Sequence, residues 1–149
     1  MSDTFIDQDF ENIYKSIAAR IHRARENVLK SVNHEQVIAY WNIGKSIVEQ
    51  EQRGESRADY GKALLENLSR RLNHDFGKGF GVTNLKYMRQ FYLTYQNRIS
   101  HKPCDESDTP DFNQNLSWSH YRLLMRETRP ESRKFYEIGV LGANPIFFR

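Results

Sequence analysis

Three sets of residues in this chain have the types and spacing that chemistry requires. His101 and Cys104 stand three apart, which suits two ligands of one metal ion, but Zn²⁺ takes four protein ligands or three and a water, and no second pair accompanies them. They read as an exposed histidine and a lone thiol. Cys104 as a nucleophile needs a base placed by folding. His74 and His120 are the candidates, and no local signature joins either to it. The run Gly77-Lys78-Gly79-Phe80-Gly81 has the glycines of a phosphate-cradling loop, yet it follows a helical pattern rather than a strand and lacks the Gly-Lys-Ser/Thr ending. It reads as a turn, and no cofactor or catalytic residue is assigned.

What the chain does concentrate is positive charge. Between Lys62 and Lys102 lie Lys62, Arg70, Arg71, Lys78, Lys86, Arg89, Arg98 and Lys102 against Glu66 and Asp75, a net +6 in a chain whose total is +3. Two amphipathic helical patterns hinged by glycines make the outline of a helix-turn-helix, and a basic helix pair suits a phosphate backbone. Arg70, Arg71 and Lys78 are expected on phosphates, where they add affinity and salt dependence without sequence information. Thr83, Lys86, Tyr87 and Gln90 are expected at base edges in the major groove, with Thr94 and Asn97 on the same helix face. The alternative is a solvated helix face. Arg89 flanks the apolar stripe and is expected to pair with Asp75 or Glu66 rather than with DNA. Trp41, Trp118, Phe91 and Tyr92 are expected in the core.

These residues need a helical scaffold. The length of 149 residues, with 38% hydrophobic and 13% aromatic content, supports one domain with one core. Phe10, Ile13, Tyr14, Ile17, Ile21, Ala24 and Val28 form a first stripe at helical spacing. Asn33 with Gln36 can cap a second helix burying Val37, Ile38, Trp41, Gly44, Ile47 and Val48, so a helical hairpin is predicted over 8–52. Gly44 beside Trp41 and Ile47 lets a neighbouring helix approach closely. Ser56 with Asp59 resembles a capping box for a third helix that buries Tyr60, Leu64, Leu65, Leu68, Leu72 and Phe76 and stops at Gly77. Thr83 is expected to cap a fourth, with Leu85, Met88, Tyr92, Tyr95 and Ile99 inward, so the helix-turn-helix spans 59–99.

From Ser100 to Leu116 the chain is polar, with Pro103, Pro110 and an acidic patch of Asp105, Glu106, Asp108 and Asp111, and reads as a long loop with room for a small β hairpin wing. Ser117 or Ser119 opens a helix with Trp118, Tyr121, Leu124 and Met125, and Pro130 suits the first turn of another with Phe135, Tyr136 and Ile138. The expectation is an all-α, predominantly helical single domain over 1–138. Residues 139–149 lose helical periodicity and read as an atypical, disordered or non-native tail. The start Met1-Ser2-Asp3-Thr4 is acidic, no apolar run approaches membrane-spanning length, and there is one cysteine. That points to a reducing, bacterial-type cytoplasm and no membrane partner.

Taken in order, Tyr40-Trp41-Asn42-Ile43-Gly44-Lys45, Asp59-Tyr60-Gly61-Lys62, Asp75-Phe76-Gly77-Lys78-Gly79-Phe80, Asn84-Leu85 with Met88-Arg89-Gln90-Phe91-Tyr92, and Leu116-Ser117-Trp118-Ser119-His120-Tyr121 resemble the N-terminal domain of the YhcG-like PDDEXK nuclease family. The likeness runs from Ile38 to about Ile138. It implies a bacterial, mainly helical, winged-helix-like DNA-binding module that normally precedes a PD-(D/E)xK nuclease domain.

Two departures bear on what that resemblance implies. After Ile138 the chain changes character and stops at Arg149, so the catalytic half is expected to be missing, through truncation or in a stand-alone version that dimerises or regulates a larger relative. A PD-(D/E)xK site also needs clustered carboxylates for Mg²⁺ and a lysine two places after one of them. No Asp or Glu here has lysine at that offset, and Pro110-Asp111 reads as a turn. No nuclease activity is expected of this chain. The long first stripe can pair with a second copy, so a homodimer is expected. The expected partners are DNA and a nuclease or restriction-system subunit. The alternative function is a protein interaction domain of a nuclease or defence complex with no DNA binding of its own.

Overall fold

The computed structural model describes residues 2–54, 58–96 and 110–139. Five helices occur among them: α1 (Ser2–Arg53), α2 (Ala58–Phe76), α3 (Val82–Thr94), α4 (Trp118–Leu124) and α5 (Pro130–Gly139). No strand is present among the described residues. The fold is all-α, as the periodicity predicts.

The hairpin expected over 8–52 is instead one unbroken helix of 52 residues, about 78 Å long at 1.5 Å per residue. The stretch around Asn33 contains no glycine or proline, so nothing turns the chain. Asn33 continues the helix instead of capping one, and Gln36 Nε2 donates to the Tyr40 hydroxyl at 3.0 Å. The two halves of α1 differ in surroundings. Val37, Tyr40, Trp41, Ile47 and Val48 are buried in the second half, while Phe10, Ile13, Tyr14, Ile17, Ile21 and Val28 are exposed in the first.

α3 lies across the second half of α1, where Gly44 admits it closely. A Cβ on Gly44 would fall 2.0 Å from the Met88 carbonyl oxygen, so the close approach read from this glycine is real. Leu85, Met88 and Phe91 of α3 and Tyr95 just beyond it face inward. Trp41 Nε1 donates to the Tyr95 carbonyl at 3.1 Å, so the buried indole keeps its hydrogen bond. All four aromatics assigned to the core lie there, Trp41 and Phe91 fully buried, Trp118 nearly so and Tyr92 packed against its edge.

Part of the predicted loop is core. Phe112 and Leu116 are buried, and Phe112 packs against Phe91 with centroids 5.0 Å apart. Residues 100–109, which held most of the expected wing and acidic patch, lie outside the described residues. So do Asn97, Ile99 and the Ser56 cap. The tail is likewise undescribed from residue 140 onward.

Ser117 begins α4 through a reciprocal capping box with His120. His120 Nδ1 accepts the Ser117 backbone N–H at 3.0 Å, so that nitrogen carries no proton, and burial pushes the imidazole pKa below its ordinary value. An unfolded histidine binds its proton near pH 6.5 and the folded one only at lower pH. The unfolded state therefore holds more protons as pH falls through that window, and the stability that the cap contributes, complete above about pH 6.5, is lost on acidification. His120→Gln is expected to flatten the fall in melting temperature between pH 7 and pH 5. An unchanged slope would remove His120 from the pH response.

α5 begins at Pro130 as predicted, but its inward residue is Glu137, whose carboxylate accepts the Tyr121 hydroxyl at 3.3 Å. Phe135, Tyr136 and Ile138 stand on its exposed side.

Candidate nucleic-acid interface

The turn between α2 and α3 is built from its glycines and two asparagines. Gly77 at φ +83° ends α2, and Gly79 at φ +120° redirects the chain. The Phe80 N–H donates to Asn73 Oδ1 at 3.2 Å, and Asn84 Nδ2 donates to the Gly79 carbonyl at 2.6 Å. Asn84 Oδ1 in turn accepts Trp118 Nε1 at 3.1 Å, which ties the turn to α4. Gly81, in extended geometry, is the N-cap of α3. Thr83 therefore stands inside the first turn and not at the cap, because the extended residue falls two positions earlier. Phe76, expected inside, is 72% exposed and meets Phe80 edge-on at 6.3 Å.

This turn presents α3 with one face packed on α1 and the other open. Thr83, Lys86 and Gln90 are exposed, and with Tyr87, Arg89 and Leu93 they line an open depression of about 450 Å³. The four residues assigned to base edges thus share one surface. Tyr87 is half-buried, with the Arg122 guanidinium 4.4 Å above its ring, which covers one of its faces. Arg70 and Arg71 are exposed on α2 and Lys78 is exposed in the turn. Arg70 donates to Asn67 Oδ1.

Arg89 has the structural role read from its position, with a different partner. It pairs with Glu51 of α1 at 2.9 Å, not with Asp75 or Glu66. Asp75 instead contacts its neighbour His74 at 3.0 Å. Arg122 is the cation that sequence reasoning missed. It belongs to α4, and no spacing along the chain relates it to α3; only tertiary packing brings it over Tyr87.

Among the described residues no three His, Cys, Asp or Glu side chains converge on a point that a metal ion could occupy. His101 and Cys104 lie outside the described residues, and Asp111 is exposed. No described helix is long and apolar enough to cross a membrane.

Residues 16–142 match the DUF1016 N-terminal domain family. Over 101 residues, 68% of this chain, the sequence is 38% identical to "Putative nuclease YhcG" of Escherichia coli (strain K12). That aligned stretch is 27% of the relative, so the chain spans about a quarter of the length of the curated protein it matches. No solved structure matches significantly.

Proposed function

Because this chain belongs to the DUF1016 N-terminal domain family, whose matched relative carries the name of a nuclease, we propose that it is a non-catalytic, cytoplasmic DNA-binding and dimerising module of a YhcG-like nuclease system. The observation that carries the DNA reading is the open face of α3. Thr83, Lys86 and Gln90 project from it beside Arg122, while the opposite face is anchored by Leu85, Met88 and Phe91. A helix held rigidly along one side and polar, cationic and exposed along the other is what a major groove accepts. Lys78, Arg70 and Arg71 supply phosphate contacts around it. The proposed protein partner is a nuclease or restriction-system subunit, for which the exposed Phe135 and Ile138 of α5 provide apolar surface.

The test is the affinity of the protein for labelled random duplex DNA beside a Lys78→Ala/Lys86→Ala variant. Loss of the Lys78 phosphate contact is expected to reduce the slope of log affinity against log salt by about one, and loss of Lys86 from the base edges to weaken binding further at the sequences that it reads. An unchanged affinity and slope in the folded variant would contradict this surface.

A further inference from the structure

The first half of α1 carries a seam that is left exposed among the described residues. Phe10, Tyr14, Ile17, Ile21, Ala24 and Val28 recur at intervals of four, three, four, three and four, the a/d pattern of a coiled coil. They project along one side, the Phe10 and Tyr14 rings stack with centroids 6.4 Å apart, and Ile17 and Ile21 are about half exposed. We propose that two copies of the chain pair along this seam in antiparallel orientation, with Phe10 against Val28, Tyr14 against Ala24 and Ile17 against Ile21 of the second copy. The proposal rests on the dimer reading above and adds its direction and register.

Side-chain volume selects the direction. In a parallel pair each residue meets its own copy, so Phe10 and Tyr14 crowd one end while Ala24 meets Ala24 at the other. The antiparallel register sets a large residue against a smaller one in each outer layer and isoleucine against isoleucine in the middle, which fills the interface evenly. Registers shifted by one heptad leave seam residues facing Asp7 or Ser31.

Charge selects the same direction. Glu11, Ala18 and Arg25 follow one edge of the seam, and Ile13, Arg20 and Asn27 follow the other. Glu11, Arg20 and Arg25 are all exposed. A parallel pair sets Arg20 beside Arg25 of the second copy twice. The antiparallel pair sets Glu11 beside Arg25 twice and Ala18 beside Ala18, and leaves one Arg20–Arg20 encounter. The two-fold axis then crosses near residue 19 and the heads lie at opposite ends. Gly44, where α3 sits, is 25 residues from that axis, which puts the two α3 seats about 75 Å apart at 1.5 Å per residue. That is close to two turns of duplex.

Sedimentation equilibrium at low salt tests the proposal through Arg25→Glu. The antiparallel pair turns two attractions into two repulsions, so the dissociation constant is expected to rise about tenfold, and Glu11→Arg/Arg25→Glu restores it. A parallel pair would instead lose its Arg20–Arg25 repulsion and tighten. Ile21→Asp, at an exposed position, is expected to give a folded monomer. Tightening by Arg25→Glu would overturn the direction and leave the dimer standing. A dimer indifferent to both substitutions would overturn the seam, and a wild-type chain that is monomeric throughout the accessible range would overturn the dimer reading as well. None of these outcomes decides the DNA reading, which the Lys78/Lys86 variant tests separately.

Discussion

Gly44→Ala is expected to destabilise the protein by about 2 kcal/mol or more, although alanine is the better helix former. The added methyl would sit 2.0 Å from the Met88 carbonyl oxygen, 2.8 Å from its carbon and 3.0 Å from Tyr92 Cβ. Two of those atoms are backbone and cannot rotate away, so α1 and α3 must separate. Separation opens the layer formed by Trp41, Met88 and Phe91, all fully buried. Against that stands a helix-propensity gain of only about 1 kcal/mol. A urea titration reads the result as a lower midpoint with the slope unchanged. A variant as stable as the parent would mean that α3 is not seated on Gly44.

Phe91→Ala is expected to cost about 3–5 kcal/mol, the range for emptying a large buried aromatic site. The ring has no exposed surface and touches Tyr95, Phe112, Trp118 and Tyr121 at centroid distances of 5.0 to 5.3 Å. It joins α3, the segment after Pro110 and the start of α4, so one cavity loosens three pieces of chain. Near-ultraviolet circular dichroism, which reports fixed aromatic packing, is expected to weaken along with the thermal midpoint. Phe76→Ala is the control. Its ring is 72% exposed, and surface substitutions of that kind stay within about 0.5 kcal/mol. Similar losses in the two variants would contradict the placement of the core.

What the sequence made readable had local causes. The end of α2 and the turn that follows it depend on glycines at Gly77 and Gly79 that occupy positive φ. The opening of α4 at Ser117 depends on a capping box four residues long. The misplaced features depended on the rest of the molecule. A cap at Asn33 is worth about 1 kcal/mol, too little to interrupt a helix that no glycine or proline breaks. Phe112 and Leu116 are isolated apolar residues in a polar, proline-containing run, where periodicity has nothing to count. Glu51 is 38 residues from Arg89, and Arg122 reaches Tyr87 only because α4 packs beside α3. The face of α3 could therefore be read from its own repeat, whereas the partners that fix Arg89 and cover Tyr87 could not.

The central claim is that α2, the turn and α3 engage the phosphate backbone. The most direct measurement is fluorescence anisotropy of the folded wild-type protein with random duplex DNA from about 50 to 200 mM salt, where phosphate contacts show most clearly. Three contacts from Arg70, Arg71 and Lys78 predict a slope of log affinity against log salt near −2.7 for each bound head, about −0.9 for every phosphate neutralised. No binding at the lowest salt, or binding indifferent to salt, would contradict the account and leave a protein interaction domain as the function of this chain.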